Sequence, residues 1–311
     1  MSDVRAPVVA LVGPTASGKS KLAHELALGR GDVEIVSVDA MSVYRGMDLA
    51  TAKPTLSERS EVHYHLIDLV DPSEEFTVAE FQRAARDAKE EIGSAGHGVL
   101  YVGGTGLYGR AVLDDLDIPA RYPEVRATLE ARAEADLDGL YNELLELDPL
   151  AASRLERTNE RRVVRALEVT LGAGRPFSSY GEGLMTYGPV RVAQIGLDVE
   201  PEILDERIAR RFHAWMDAGL LDEVAQLRER PGGLGRTARQ AVGYRQLLQH
   251  LEEGAPLASS VEAAITQSRR LARRQRSWFR RDPRVDWFSD PKAARARVNE
   301  VLNDADSFVR D

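Results

Sequence analysis

Apolar and polar positions along this chain follow two alternating rhythms. Short runs rich in β-branched residues at 8–12, 34–38 and 98–102 read as buried strands. Between them Leu22, Ala23, Leu26 and Ala27 repeat at helical spacing. Thr77 followed by Glu80 forms a capping box that predicts a helix over 78–92. Residues 63–72 read as a third short strand closed by Pro72. From about Asp114 the pattern changes: 123–171 contains no convincing strand and fits amphipathic helices through Leu129, Leu140, Leu144, Val163 and Leu167. Residues 190–197 restore a strand. Helices are then expected over 203–216, over 220–227 beyond Gly219, over 237–250, and over the arginine-rich 261–281, with an edge strand at 285–288 and a charged terminal helix.

Strands alternating with helices predict an α/β fold, a doubly wound parallel sheet, interrupted by a helical insertion domain. The expected division is a P-loop core of residues 1–115 and 190–311 and an insertion of residues 116–189. In such sheets ligands bind at the carboxyl ends of the strands. That rule gathers the turn at 13–20, Asp39 and Thr105 at one rim.

The turn carries the sharpest chemical signal. Strand 8–12 runs directly into Gly13-Pro14-Thr15-Ala16-Ser17-Gly18-Lys19-Ser20, and a helical pattern follows. Strand, G-x-x-x-x-G-K-S and helix in that order is the context a phosphate-binding P-loop requires. Gly13 and Gly18 permit backbone conformations that a Cβ would block, so amides are able to point at an anion. The helix start adds its dipole, Lys19 a point charge, and the Ser20 hydroxyl a ligand for Mg²⁺.

Composition narrows the class. No apolar run reaches the length of about 18 residues that suggests a membrane span, and residues 1–7 do not read as a signal peptide. The chain has no cysteine, which excludes disulfides and thiolate metal sites and suits the cytoplasm. Net charge is −9, yet residues 269–284 hold Arg269, Arg270, Arg273, Arg274, Arg276, Arg280, Arg281 and Arg284 against the single acid Asp282. The expectation is a cationic face on an acidic body.

Three features bear on the use of the P-loop. The strand at 98–102 ends in Gly103-Gly104-Thr105 rather than the acid of hydrolytic P-loop enzymes. The acid stands at Asp39, where it reads as a general base toward a second substrate or as a turn-forming cap. Thr105, flanked by glycines, is suited to bonding a leaving oxygen. The arginine helix reads as a solvated face or, with Trp278 and Phe279 among its arginines and the acidic partners of a salt-bridged helix missing, as a grip on a phosphate backbone. Arg161, Arg162 and Arg165 form a second basic cluster, and two such patches favour an extended polyanion, RNA.

The motifs Gly13 to Ser20, Ser37-Val38-Asp39, Thr51-Ala52-Lys53-Pro54, Leu66-Ile67-Asp68, Val102 to Tyr108, Arg165-Ala166-Leu167-Glu168-Val169 and Val242-Gly243-Tyr244 together resemble the tRNA dimethylallyltransferases, in order, over nearly the whole chain. The resemblance implies transfer of a dimethylallyl group from dimethylallyl diphosphate to N6 of adenosine 37 of tRNA, with release of diphosphate. It implies that Gly13, Pro14, Thr15, Ala16, Ser17, Gly18, Lys19 and Ser20 surround the diphosphate, with Mg²⁺ at Ser20. Asp39 would take the amine proton, Thr105 steady the departing oxygen, and Lys19 complete the catalytic set. The tRNA would meet Asp39, Ala40, Met41 and Ser42, then Arg126, Arg161, Arg162, Val163, Val164 and Arg165, then Gln240, Ala241, Val242, Gly243, Tyr244 and Arg245. The insertion would embrace the anticodon loop, and a cytoplasmic monomer is expected.

The chain departs from the family pattern at two places. It reads Asp39-Ala40-Met41-Ser42 where Asp-Ser-Met-Gln is common. It has Gln240 where some members carry a diphosphate-directed Arg, which leaves Arg239, Gln240 and Arg245 as alternatives for that contact. Competing readings are prenyl transfer to free adenine nucleotides, a small-molecule kinase, and a nucleotide-gated RNA-binding protein without catalysis.

Overall fold

The computed structural model describes residues 7–181, 184, 186–189 and 192–304. Two compact units emerge, one made of residues 1–114 and 188–311, the other of residues 115–187. The first opens with β1 (Val8–Val12), α1 (Lys19–Arg30), β2 (Val33–Val38), α2 (Leu56–Glu61), β3 (Tyr64–His65), α3 (Val78–Ser94), β4 (Gly98–Gly103) and α4 (Gly106–Leu113). The second unit holds α5 (Pro123–Leu147), α6 (Pro149–Ser153) and α7 (Glu160–Ala173). The chain then returns to the first with β5 (Ala193–Leu197), α8 (Pro201–Asp217), α9 (Leu220–Glu229), α10 (Tyr244–Glu253), α11 (Leu257–Arg280), β6 (Val285–Phe288) and α12 (Pro291–Asn303).

All six strands are parallel, in the order β3-β2-β4-β1-β5-β6. Because successive side chains leave a strand on opposite faces, β1 feeds two cores. Val9 and Leu11 pack with Leu22 and Leu26 of α1 and Val298 of α12. Ala10 and Val12 pack on the other side with Phe81, Phe212, Leu247 and Ile265, from α3, α8, α10 and α11. Such two-sided burial explains the near-continuous apolar runs of the central strands. The second unit has its own core, in which Leu129, Leu140 and Leu144 of α5 meet Val163, Val164 and Leu167 of α7.

The capping box of Thr77 and Glu80 starts α3 as expected, and the edge strand at 285–288 pairs with β5. Two expectations change. The third strand spans only Tyr64–His65, because Leu66 and Asp68 adopt left-handed backbone (φ 61° and 57°), and Tyr44 and Val70 meet only as an isolated bridge. The helix expected over 237–250 is a short 3₁₀ turn at Ala238–Gln240 and then α10, separated at Gly243 with φ 95°. Of the strand expected at 190–197, Val190 and Arg191 lie outside the described residues.

Candidate active site

The P-loop, Asp39 and Thr105 follow the carboxyl ends of β1, β2 and β4. After β1 the chain turns through Gly13 to Gly18, and Gly18, at φ 95°, occupies the N-cap of α1. Leu22 N–H to Gly18 C=O is the first bond of that helix, so the amides of Lys19, Ser20 and Lys21 precede its hydrogen-bond ladder. Ala16 holds left-handed backbone without being glycine (φ 65°), a strained conformation of the kind that clusters at ligand sites. The Ser17 hydroxyl is buried without a protein partner.

An open cavity of about 1420 Å³ spreads from this turn. Lys19 lines it, its ammonium donating to the Pro14 carbonyl at 3.2 Å. Burial pushes that ammonium down to about 8; Asp39 opposes the fall and Arg211 adds to it. Asp39 follows β2 directly, and its Oδ1 accepts the Met41 amide at 2.8 Å. Thus it does form the turn that one reading of the sequence foresaw, while still lining the cavity opposite the cradle. Thr105 sits at the N-cap of α4 without a capping bond; its Oγ1 accepts the Ala40 amide at 3.4 Å. That contact ties the Asp39 loop to the Thr105 turn. Gly103 makes the close approach possible, since a Cβ there would stand 2.1 Å from the Val38 carbonyl oxygen of the neighbouring strand.

The cationic contribution of α8 was missed in the sequence. Arg207, Arg210 and Arg211 of α8 line the cavity together with Arg274 of α11. Arg211 donates to Thr15 Oγ1 at 2.7 Å and lies over the Trp215 ring at 4.6 Å, while Arg207 reaches the Ala16 carbonyl at 3.4 Å. Desolvation pushes the Arg211 guanidinium down to about 10, and its Nε is buried without a partner. From α11, Gln275 accepts the Thr15 amide at 2.8 Å. Thr15 is therefore held by its neighbours through both its amide and its hydroxyl. The spacing i, i+3, i+4 of three arginines was the available signal, masked by the apolar stripe that already accounted for α8.

Other expected residues are redistributed. Gln240, Ala241 and Val242 do line the cavity. Tyr244 is fully buried and donates its hydroxyl to Glu223, so its side chain serves the core rather than a surface for RNA. Arg245 is exposed and does not line the cavity, and Arg239 pairs with Glu252. Neither lines the cavity, whereas Gln240 and Arg211 do. Ser42 lines the cavity but is largely buried, bonded to Ser37 Oγ and the Asp39 carbonyl at 3.1 Å each. Met41 stays half-buried at the rim.

Within the second unit, Arg161 and Arg162 are exposed, but Val163 and Val164 face its core. Arg165 bonds the carbonyls of Pro119 and Ala120, and both it and Arg126 pair with the fully buried Glu168, at 2.8 and 3.1 Å. These two arginines are occupied by an internal carboxylate, which a sequence reading of charge clusters does not detect.

The arginine helix also differs from expectation. Its acids come from other elements: Asp205 receives Arg273, Asp198 receives Arg276 and Arg280, and Asp282 and Asp114 receive Arg284. Phe279 is buried in the core, and Trp278 lines the cavity beside Gly106. Arg270 and Arg274 have no acidic partner among the described residues.

Ser20, Ser37 and Asp39 line the cavity as an oxygen-only donor set. Such donors suit Mg²⁺, a hard cation that completes its shell with substrate phosphates and water.

This geometry has close relatives. The family model described as IPP transferase matches residues 42–282. A tRNA dimethylallyltransferase of Acidothermus cellulolyticus is 47% identical, over 92% of this chain and 90% of its own. One from Pseudarthrobacter chlorophenolicus is 44% identical, over 92% of this chain and 95% of its own. The crystal structure of the full-length tRNA isopentenylpyrophosphate transferase of Bacillus halodurans matches with a TM-score of 0.69 at 35% identity, covering 96% and 97% of the two chains. A eukaryotic dimethylallyltransferase captured acting on tRNA matches with a TM-score of 0.79 at 26% identity, covering 96% of this chain and 79% of the other. The chain belongs to the IPP transferase family.

Proposed function

We propose that this chain transfers the dimethylallyl group from dimethylallyl diphosphate to N6 of adenosine 37 of tRNA. The observation that carries the reading is the single cavity in which a P-loop, Lys19, Arg211, Asp39 and Thr105 meet. A cradle of that charge suits a leaving diphosphate as well as a nucleotide tail. N6 attacks the first carbon of the dimethylallyl group as the carbon–oxygen bond breaks, and the bonding pair leaves with the diphosphate. The amine proton passes to Asp39 Oδ2, while Oδ1 keeps its bond to Met41 N–H. An exocyclic amine is a weak nucleophile, so charge on the departing diphosphate dominates the barrier, and fixed donors in a partly desolvated cavity are the effective remedy. Lys19, Arg211 and the leading amides of α1 fill that role, with Thr105 Oγ1 at the bridging oxygen. Mg²⁺, held by Ser20, supplies further charge neutralisation when bound.

The base must leave the loop stack to reach the donor, at a cost of a few kcal/mol. Arg161, Arg162, Arg270 and Arg274 are the cations proposed for the tRNA backbone, and the unit of residues 115–187 a tRNA-binding element. No helix among the described residues is long and apolar enough to cross a membrane. We place the chain in the cytoplasm as a monomer acting on the anticodon loop. Incubation with dimethylallyl diphosphate, Mg²⁺ and tRNA, AMP or ATP with kinase acceptors tests the proposal. Prenylated tRNA supports it; prenylated AMP alone, or ATP turnover without prenyl transfer, overturns it.

A further inference from the structure

At the opposite rim of the sheet stands a cluster that the transfer reaction does not use. Strand alternation puts it together. Ile35 pairs with Tyr64 and Val36 with His65, so His63 and His65 leave β3 and its approach on the face shared by Glu34 and Val36. Glu34 pairs with Val99, and His97, two residues before Val99, belongs to that face as well. The result is three of the chain's six histidines around one carboxylate. His63 Nδ1 and His65 Nε2 lie 2.9 and 2.7 Å from Glu34 Oε2, and His97 Nδ1 lies 2.7 Å from Oε1. The rings of His63 and His65 stack with centroids 4.3 Å apart.

We propose that Glu34, His63 and His65 form a binding site for a zinc-type divalent cation, with His97 orienting the carboxylate through its other oxygen. The three donor atoms all lie within 4.8 Å of one another, and among the described residues no other trio of His, Cys, Asp or Glu donors converges this closely. Zinc held tetrahedrally at about 2.0–2.1 Å needs donors about 3.3 Å apart. The carboxylate oxygen must therefore withdraw from each ring by about half an ångström, a change within the reach of side-chain rotation. Imidazole with one carboxylate selects zinc, cobalt or nickel over magnesium. Carboxylates that ligate such metals are themselves hydrogen-bonded from outside, the role His97 takes at Glu34 Oε1. Entry is open, because the His63 side chain is 61% exposed while His65 and Glu34 are 8% and 12% exposed. Binding displaces the proton that His65 shares with Glu34 and puts the metal in its place, with His63 Nδ1 already beside the same oxygen. Its effect is structural: it pins the two-residue edge strand β3 to β2, far along the strands from the phosphate cradle.

The test uses the full, tag-free chain stripped with chelator, without diphosphate. Zinc chloride is titrated in by calorimetry, and cobalt(II) by visible absorption. Wild type is expected to bind one zinc per chain, to show the intense bands of tetrahedral cobalt, and to melt at higher temperature with zinc. His63→Asn, exposed and therefore harmless to folding, is expected to lose at least about tenfold in zinc affinity along with the cobalt bands, and His97→Asn about tenfold. His213→Asn, at an exposed histidine elsewhere, leaves binding unchanged. No zinc binding by wild type, or a His63→Asn variant that binds and melts like wild type, overturns the assignment and leaves a hydrogen-bonded cluster only.

Discussion

Replacing Arg211 by Ala tests the electrostatics of the cradle in two ways at once. The guanidinium donates to Thr15 at 2.7 Å, and its buried Nε has no protein partner. It is thus a cation whose donor capacity the protein leaves incompletely used at the cradle. Losing one donor aimed at developing anionic charge in such a site costs about 100- to 1000-fold in kcat, roughly 3–4 kcal/mol. The second effect falls on Lys19. Its ammonium sits at about 8, pushed there by desolvation and by Arg211 and held up by Asp39. Only the protonated form neutralises diphosphate, so kcat/KM should fall about tenfold per pH unit well above that value. Removing Arg211 relieves repulsion and admits water, and both changes raise the lysine. The alkaline limb must then move to higher pH while the plateau drops. Steady-state kcat/KM for dimethylallyl diphosphate, measured across roughly pH 6 to 10 at saturating tRNA, reads both quantities. A variant within about threefold of wild type, or a limb that does not move, would refute the assignment of Arg211 to the cradle.

Other outcomes follow from single contacts. Asp39→Asn keeps an acceptor for the Met41 amide but not a proton acceptor, so kcat should fall about 100- to 10,000-fold with tRNA affinity unchanged; full turnover removes Asp39 from the chemistry. Gly103→Ala forces a Cβ to within 2.1 Å of Val38 O between two central strands. Strain of about 3 kcal/mol should lower the melting temperature by roughly 6 to 12 °C, and an unchanged melting curve contradicts the packing described. Arg273 is held by Asp205 at the surface, so Arg273→Ala should leave tRNA binding within about twofold. Arg274→Ala should weaken it and reduce the salt slope by about one. Equal behaviour of the two variants would return the helix to a solvated face.

The parts of this molecule legible in sequence are those set by local rules. A β-branched run, two glycines and a Lys-Ser pair define strand, turn and helix without help from elsewhere. Thr77 and Glu80 likewise fix the start of α3 within four residues. What escaped depends on partners distant in the chain. Arg165 and Arg126 look like RNA ligands until Glu168 is seen buried between them. The arginines of α11 look unbalanced because Asp198, Asp205 and Asp114 come from other segments. Tyr244 sits in a ligand-like motif, yet its ring fills the core. Arg207 and Arg211 reach the cradle across nearly two hundred residues, on a helix whose apolar stripe had already explained its existence. Periodicity reports which face is buried, not what the half-buried edge of that face touches.

The central idea is that this P-loop holds a fragment shed by carbon, not a nucleotide cleaved at phosphorus. Diphosphate release and prenylated adenosine should therefore be measured in one reaction on unmodified tRNA, with the modified position mapped by mass spectrometry of nuclease fragments. One diphosphate released for each dimethylallyl group found on adenosine 37, with no orthophosphate formed, is the expected result. Orthophosphate release, or diphosphate release without a prenyl group on the tRNA, would contradict it.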